Sequence, residues 1–88
     1  MKFDWDPDKL AKNIRKHKID FNAAVKVFLD PYRVEYDEPD DDDGIRYNTT
    51  GMVDGRLMFV TYTMRGDIYR IISARRPDPH EKRLYHEV

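Results

Sequence analysis

The sequence predicts an α+β domain with two N-terminal helices, a four-stranded antiparallel sheet and a C-terminal helix. Three observations predict it. Apolar residues recur at helical spacing up to about residue 29 and at a spacing of two from residue 32. Aspartate precedes each helical stretch, twice as Asp-Pro, a cap followed by the residue best suited to the first helical position. Asp54-Gly55 and Arg65-Gly66 punctuate the apolar runs as tight turns, so consecutive strands form a meander with the helices against one sheet face. The 88 residues make one domain, 1–88. A chain this short buries roughly 60–65% of its unfolded surface, so its core is modest.

The elements follow in order. Phe3 and Trp5 alternate with Lys2 and Asp4, an extended start with the aromatics inward. Asp6 caps a helix from Pro7 to about His17, with Leu10 and Ile14 inward. Its other face carries Lys9, Lys12, Arg15 and Lys16, followed by Lys18, with no acid among them. Asp20 caps a second helix, in which Phe21, Ala24, Val25 and Phe28 form one buried face. Asp30-Pro31 ends it. Strands are expected at 32–36, 45–53, 56–63 and 67–74, with Gly51 interrupting the second. Asp78, Pro79 and Glu81 form a capping box for the last helix, where Leu84 and Val88 share a face.

The net charge of −1 conceals an asymmetry. Residues 37–44, expected as a loop, hold six of the 17 acids and no base, leaving the rest of the chain at +5. Such a division fits a nucleic-acid or charged partner; a solvated loop is the plain alternative. The chain contains no cysteine, which excludes disulfides and thiolate metal sites. No apolar run approaches a membrane span, so a soluble cytoplasmic protein is expected, with no membrane partner. His80 and His86 lie about 240° apart on a helix and cannot share a ligand face. The acidic run lacks the spacing of a calcium loop. No metal and no cofactor is expected.

The segment from Thr61 to Arg76 threads Arg65, Arg70, Arg75 and Arg76 through a hairpin. Packing does not call for arginines in a strand, whereas rigid guanidinium forks suit phosphate. Alternation puts Arg70 with Ile68 and Ile72, opposite Tyr69, Ile71 and Ser73. Arg70 therefore either serves a function or pairs with an acid such as Glu81.

The chain resembles the BrnT family of small toxins, the ribonuclease halves of type II toxin–antitoxin pairs, which have a RelE-like fold. The resemblance is carried by Phe3, Trp5, Asp6, Lys9, Asn13, Lys16, His17 and Phe21. It continues at Ala24, Phe28, Asp30 and Pro31, then at Arg46-Tyr47, Gly51, Tyr62-Thr63, Arg65-Gly66 and the run from Arg70 to Arg75. It closes at Glu81, Arg83 and Tyr85. The acidic run and residues 77–80 depart from it. The resemblance implies an RNA substrate, inhibition of translation and a cognate antitoxin protein with a DNA-binding domain. The complex would bind its own operator DNA.

RNA can be cut without a metal through its own 2′-hydroxyl, given proton transfer and fixed positive charge. Imidazole is the side chain that titrates near neutrality, so His17 is the candidate for proton transfer, with Lys16 the neighbouring cation that favours its neutral, basic form. Arg65, Arg70 and Arg75 are the candidate phosphate clamp. Lys9, Lys12 and Arg76 would bind the RNA backbone, and Tyr62, Tyr69 and Tyr85 would stack a base or donate a hydrogen bond. Each has a plainer role: His17 as a cation at a helix end, the tyrosines as core or rim. Ser73 has no base beside it in sequence. The rival functions are a non-catalytic RNA- or partner-binding module and a corepressor that serves only to assemble a DNA-binding complex.

Overall fold

The computed structural model describes residues 1–40 and 44–87. The order is β1 (Lys2–Trp5), α1 (Pro7–His17), α2 (Phe21–Ala24) running into a 3₁₀ turn (Val25–Leu29), β2 (Val34–Asp40), β3 (Gly44–Val53), β4 (Arg56–Arg65), β5 (Ile68–Arg75) and α3 (Pro79–His86). The α+β class holds, with three helices. The expected four-stranded antiparallel sheet is instead a five-stranded mixed sheet in the order β1-β5-β4-β3-β2. The extra strand is the N-terminal segment, which pairs in parallel with β5 and sets Asp4 beside Arg70 and Trp5 beside Ile71. Among the described residues no helix is long and apolar enough to cross a membrane.

The predicted caps form. The Asp6 carboxylate accepts from the Asp8 amide at 2.8 Å, and Asp78 and Glu81 make a reciprocal capping box. Asp54 and Gly55 both take positive φ, as the expected two-residue hairpin turn requires.

The second helix departs from expectation. Only one α-turn forms before the backbone tightens to 3₁₀. At three residues per turn Val27 rotates inward to full burial, while Val25 stays half-buried. Val27 also explains Gly51: a Cβ there would lie 2.6 Å from Val27 Cγ2. β3 is not interrupted there as expected: it runs unbroken through Gly51, and the missing side chain leaves the space into which the turn packs. The core gathers Phe21, Ala24, Val27, Phe28, Val60, Tyr62, Ile71 and Ala74 between the N-terminal helices and one sheet face. Phe28 anchors it, with its ring 5.1 Å from Tyr62 and 5.2 Å from Tyr69.

A bulge alters which residues share a face. Tyr62 pairs with Ile71 but Thr61 with Ser73, leaving Ile72 unopposed. Simple alternation would keep Ser73 with Ile71. The bulge moves Ser73 and Arg75 to the face of Arg70 and turns Ala74 into the core. The helices do not all cover one face as expected, because α3 joins Arg75 on the side away from α1 and α2.

The acidic stretch is not wholly a loop. Asp37 to Asp40 extend β2, paired in register with Tyr47 to Gly44. Pro39 is tolerated there because β2 is an edge strand. Asp41 to Asp43 and Val88 lie outside the described residues.

Candidate functional site

Asn13 fixes where α1 meets the sheet. β1 ends opposite Ile71, so among the described residues the outer edge of β5 beyond that point has no strand neighbour. The buried Asn13 side chain takes its place: Nδ2 donates to the Ala74 carbonyl at 2.9 Å, and Oδ1 accepts from the Ala74 amide at 3.0 Å. Nδ2 also donates to the Ile19 carbonyl at 2.9 Å, closing the turn after α1. Lys18 makes that turn in the left-handed conformation, φ 60°, its amide donating to the Ile14 carbonyl. The end of α1 is thereby held against the end of β5.

This brings His17 to Arg76. Both line a cleft of about 320 Å³ with Lys18, Arg56, Leu57 and Met58. Arg56, Leu57 and Arg76 also line an adjoining cleft of about 470 Å³, completed by Pro77, Lys82 and His86. His17 is half-buried, while Arg56, Arg76, Lys82 and His86 are exposed. Lys18, Arg56, Arg76, Lys82 and two imidazoles thus line two adjoining clefts at the C-terminal end of β5, with Asp20 the one acid among the described residues that line them.

A second basic cleft, about 290 Å³, lies toward the start of β5 and is lined by Lys9, Arg46, Thr63, Met64, Arg65, Arg70 and Ile72. Arg70 pairs there with Asp4 at 3.1 Å, a direct result of the β1–β5 register. The pair is partly exposed and contributes at most about 1 kcal/mol. Six residues of extended chain, roughly 20 Å, separate Arg70 from Arg76. The structure therefore joins His17 to Arg76 but not to Arg65 or Arg70. Lys12 and Lys16 lie exposed on α1 outside both clefts.

Arg75 belongs to neither cleft. Its two terminal nitrogens donate to the two Glu81 oxygens, each at 2.9 Å, and its guanidinium lies 4.1 Å from the Phe59 ring centre. The planar fork is engaged within the fold. Glu81 was expected as a possible partner of Arg70; it is the partner of Arg75.

The tyrosines are structural in placement. Tyr62 is 6% exposed, stacked on Tyr47, and burial pushes its hydroxyl pKa up. Tyr69 packs on Phe3 and Phe28. The Tyr85 hydroxyl donates to Asp30 Oδ2 at 2.7 Å; that bond, with burial, pushes its pKa up to about 12. Burial opposes ionisation of Asp30. The hydrogen bonds from Tyr85, Met52 and Tyr32, with the charge of Arg33, outweigh it and hold the carboxyl below its usual range.

Sequence reasoning missed Arg56, Lys82 and His86. One signal existed for Arg56: counting strand pairs outward from the Gly66 turn brings Arg76 to the start of β4. Nothing local marks His86, whose position depends on how α3 folds back. Among the described residues, no three His, Asp or Glu side chains converge as a metal-ligand set.

The sequence model of one family, described as the ribonuclease toxin BrnT of type II toxin–antitoxin systems, matches residues 5–81. No curated protein matches the chain.

Proposed function

Because the chain belongs to the BrnT family of type II toxin–antitoxin ribonuclease toxins, we propose that it cuts RNA internally through the RNA's own 2′-hydroxyl, without a metal ion, and so stops translation. The observation that carries this reading is the convergence of His17 with Arg56 and Arg76 in one cleft. His17 takes the 2′-hydroxyl proton. Arg56 and Arg76 hold the phosphoryl oxygens as charge grows on them, the largest contribution a fixed site makes. Lys9, Arg65 and Arg70 bind phosphates further along the strand, where their charge sets affinity and its salt dependence. The family implies an RNA substrate and a cognate antitoxin. We add that the antitoxin carries a DNA-binding domain, and that the complex binds its operator DNA.

The test is cleavage of a defined RNA by purified protein in excess chelator, with growth arrest on induction that the neighbouring antitoxin relieves. Arg76→Ala should slow cleavage by about 10²–10³. Normal growth at confirmed expression, with no cleavage in vitro, would overturn the reading. A second reading, a non-catalytic RNA- or partner-binding module acting as a corepressor, is supported by the engagement of Arg75 with Glu81 and the burial of Tyr62, since groups held within the fold are less available to a substrate. Salt-dependent RNA binding without turnover would establish it.

A further inference from the structure

We propose that His86 is the second proton-transfer group of this site: it donates the proton that lets the 5′-oxygen leave, while His17 acts as the base. The inference rests on the ribonuclease reading above and extends it to a residue at the far end of the chain.

The two clefts meet at Arg56, Leu57 and Arg76, with His17 in one and His86 in the other. A phosphodiester held by the two arginines therefore adjoins both clefts, one lined by His17 and the other by His86. The chemistry needs that arrangement. The 2′-oxygen attacks phosphorus in line with the departing 5′-oxygen, so base and acid act at opposite ends of the phosphoryl group. One histidine at one end leaves the other unserved.

The step balances. His17 takes the proton of the 2′-hydroxyl as the 2′-oxygen bonds to phosphorus. The bond from phosphorus to the 5′-oxygen breaks, and that oxygen receives a proton from His86. The products are a 2′,3′-cyclic phosphate and a 5′-hydroxyl end. Exchange with water returns each imidazole to its starting state.

Both histidines are the last residues of helices that are firmly tied down. Asn13 binds α1 to Ala74. At the other end of the groove, α3 is held by the Arg75–Glu81 fork, by its capping box and by the Tyr85–Asp30 bond one residue before His86. The Tyr85 ring meets the His86 ring edge-on at 5.3 Å. Rigid support of this kind is what proton transfer requires. Lys82, one turn before His86, lines the same cleft and adds charge for the phosphate.

The experiment uses two RNAs of one sequence, normal and with sulfur replacing the 5′-oxygen at the bond the parent protein cuts. A thiolate leaves without a proton donor. His86→Gln should slow cleavage of the normal RNA by about 10²–10⁴ and cut the sulfur-substituted RNA within about threefold of the parent rate. His17→Gln should slow both. His86 is exposed, so the variant should melt with the parent, which is checked first. Cleavage of normal RNA at the parent rate by His86→Gln, or equal slowing on both RNAs, overturns the assignment while leaving the ribonuclease reading intact. Failure of the parent to cut RNA overturns both.

Discussion

The Tyr85 hydroxyl donates to the Asp30 carboxylate at 2.7 Å, bridging 55 residues of sequence. Asp30 sits where β2 has not yet begun and the Met52 amide of β3 lacks a strand partner; its Oδ2 accepts from that amide at 2.7 Å. One carboxylate thus closes the sheet edge and anchors the last helix. Its partner is the residue before His86, so the anchor also fixes one wall of the basic groove.

Tyr85→Phe should lower stability by about 1.5–3 kcal/mol, the usual worth of a hydrogen bond to a charged acceptor. The folded hydroxyl keeps its proton to about pH 12, above the value near 10 of an unfolded chain. The stabilisation is therefore complete below about pH 10 and lost as pH rises from there toward 12. Urea unfolding across that window should show a steeper decline in the parent than in Tyr85→Phe, the remainder coming from Tyr36 and Tyr62, whose hydroxyl pKa values burial also raises.

Asp30 acts at the other end of the scale. Its carboxyl is held below the ordinary range, so its contribution is present above about pH 4 and vanishes as pH falls through the lower folded value. Asp30→Asn should flatten the acid limb of a stability–pH curve measured by chemical denaturation.

Gly51→Ala should cost about 1–3 kcal/mol, because the added methyl meets Val27 Cγ2 at 2.6 Å inside a fully buried contact. A companion Val27→Ala change should recover part of that loss. Thermal melts of the two single variants and the double variant check the coupling.

Asn13→Ala leaves the Ala74 amide and the Ala74 and Ile19 carbonyls without their partner. The expected loss is about 2–4 kcal/mol, from about 1–3 for each unsatisfied buried group with partial relaxation. Amide exchange at Ala74 should accelerate, and RNA cleavage should fall further than the folded fraction explains, because His17 and Arg76 lose their common support.

The arginines should separate. Arg75→Ala should unfold at lower denaturant, since it strips Glu81 of a bidentate partner. Arg65→Ala and Arg70→Ala should melt within a few degrees of the parent. Each should weaken RNA binding and reduce the slope of log affinity against log salt by about one. Fluorescence titrations at several salt concentrations measure it.

Much of this architecture was legible. The caps at Asp6, Asp20 and Asp78 and the turns at Asp54-Gly55 and Arg65-Gly66 depend on neighbouring residues, and local chemistry declared them. What escaped prediction was long-range or off-period. β1 is four residues long, and its parallel pairing with β5 has no local signal. The bulge at Ile72 lies in a run that reads as ordinary alternation, yet it decides the face of Arg75. The 3₁₀ turn hid because Phe21 and Ala24 fit both helical periods and Phe28 continued the α-helical one, while Val27 fits only three residues per turn. For the site, His17 and Arg76 stood out as residue types, but their meeting depends on Asn13 holding the open edge of β5. Arg75 looked as available as Arg65 because the acid that engages it lies on another element.

The two basic regions lie toward opposite ends of β5, and on the ribonuclease reading proposed above that strand is a ruler for substrate length. Neighbouring phosphates on one RNA strand are only a few ångströms apart, so bridging the roughly 20 Å from Arg70 to Arg76 takes several nucleotides. On that reading a dinucleotide should engage the Arg56 and Arg76 side chains alone. As oligonucleotides lengthen, kcat/KM should climb until the chain reaches Arg65 and Arg70, then level off. With Arg65→Ala or Arg70→Ala the climb should be shallower, while the rate on the shortest RNA stays where it was.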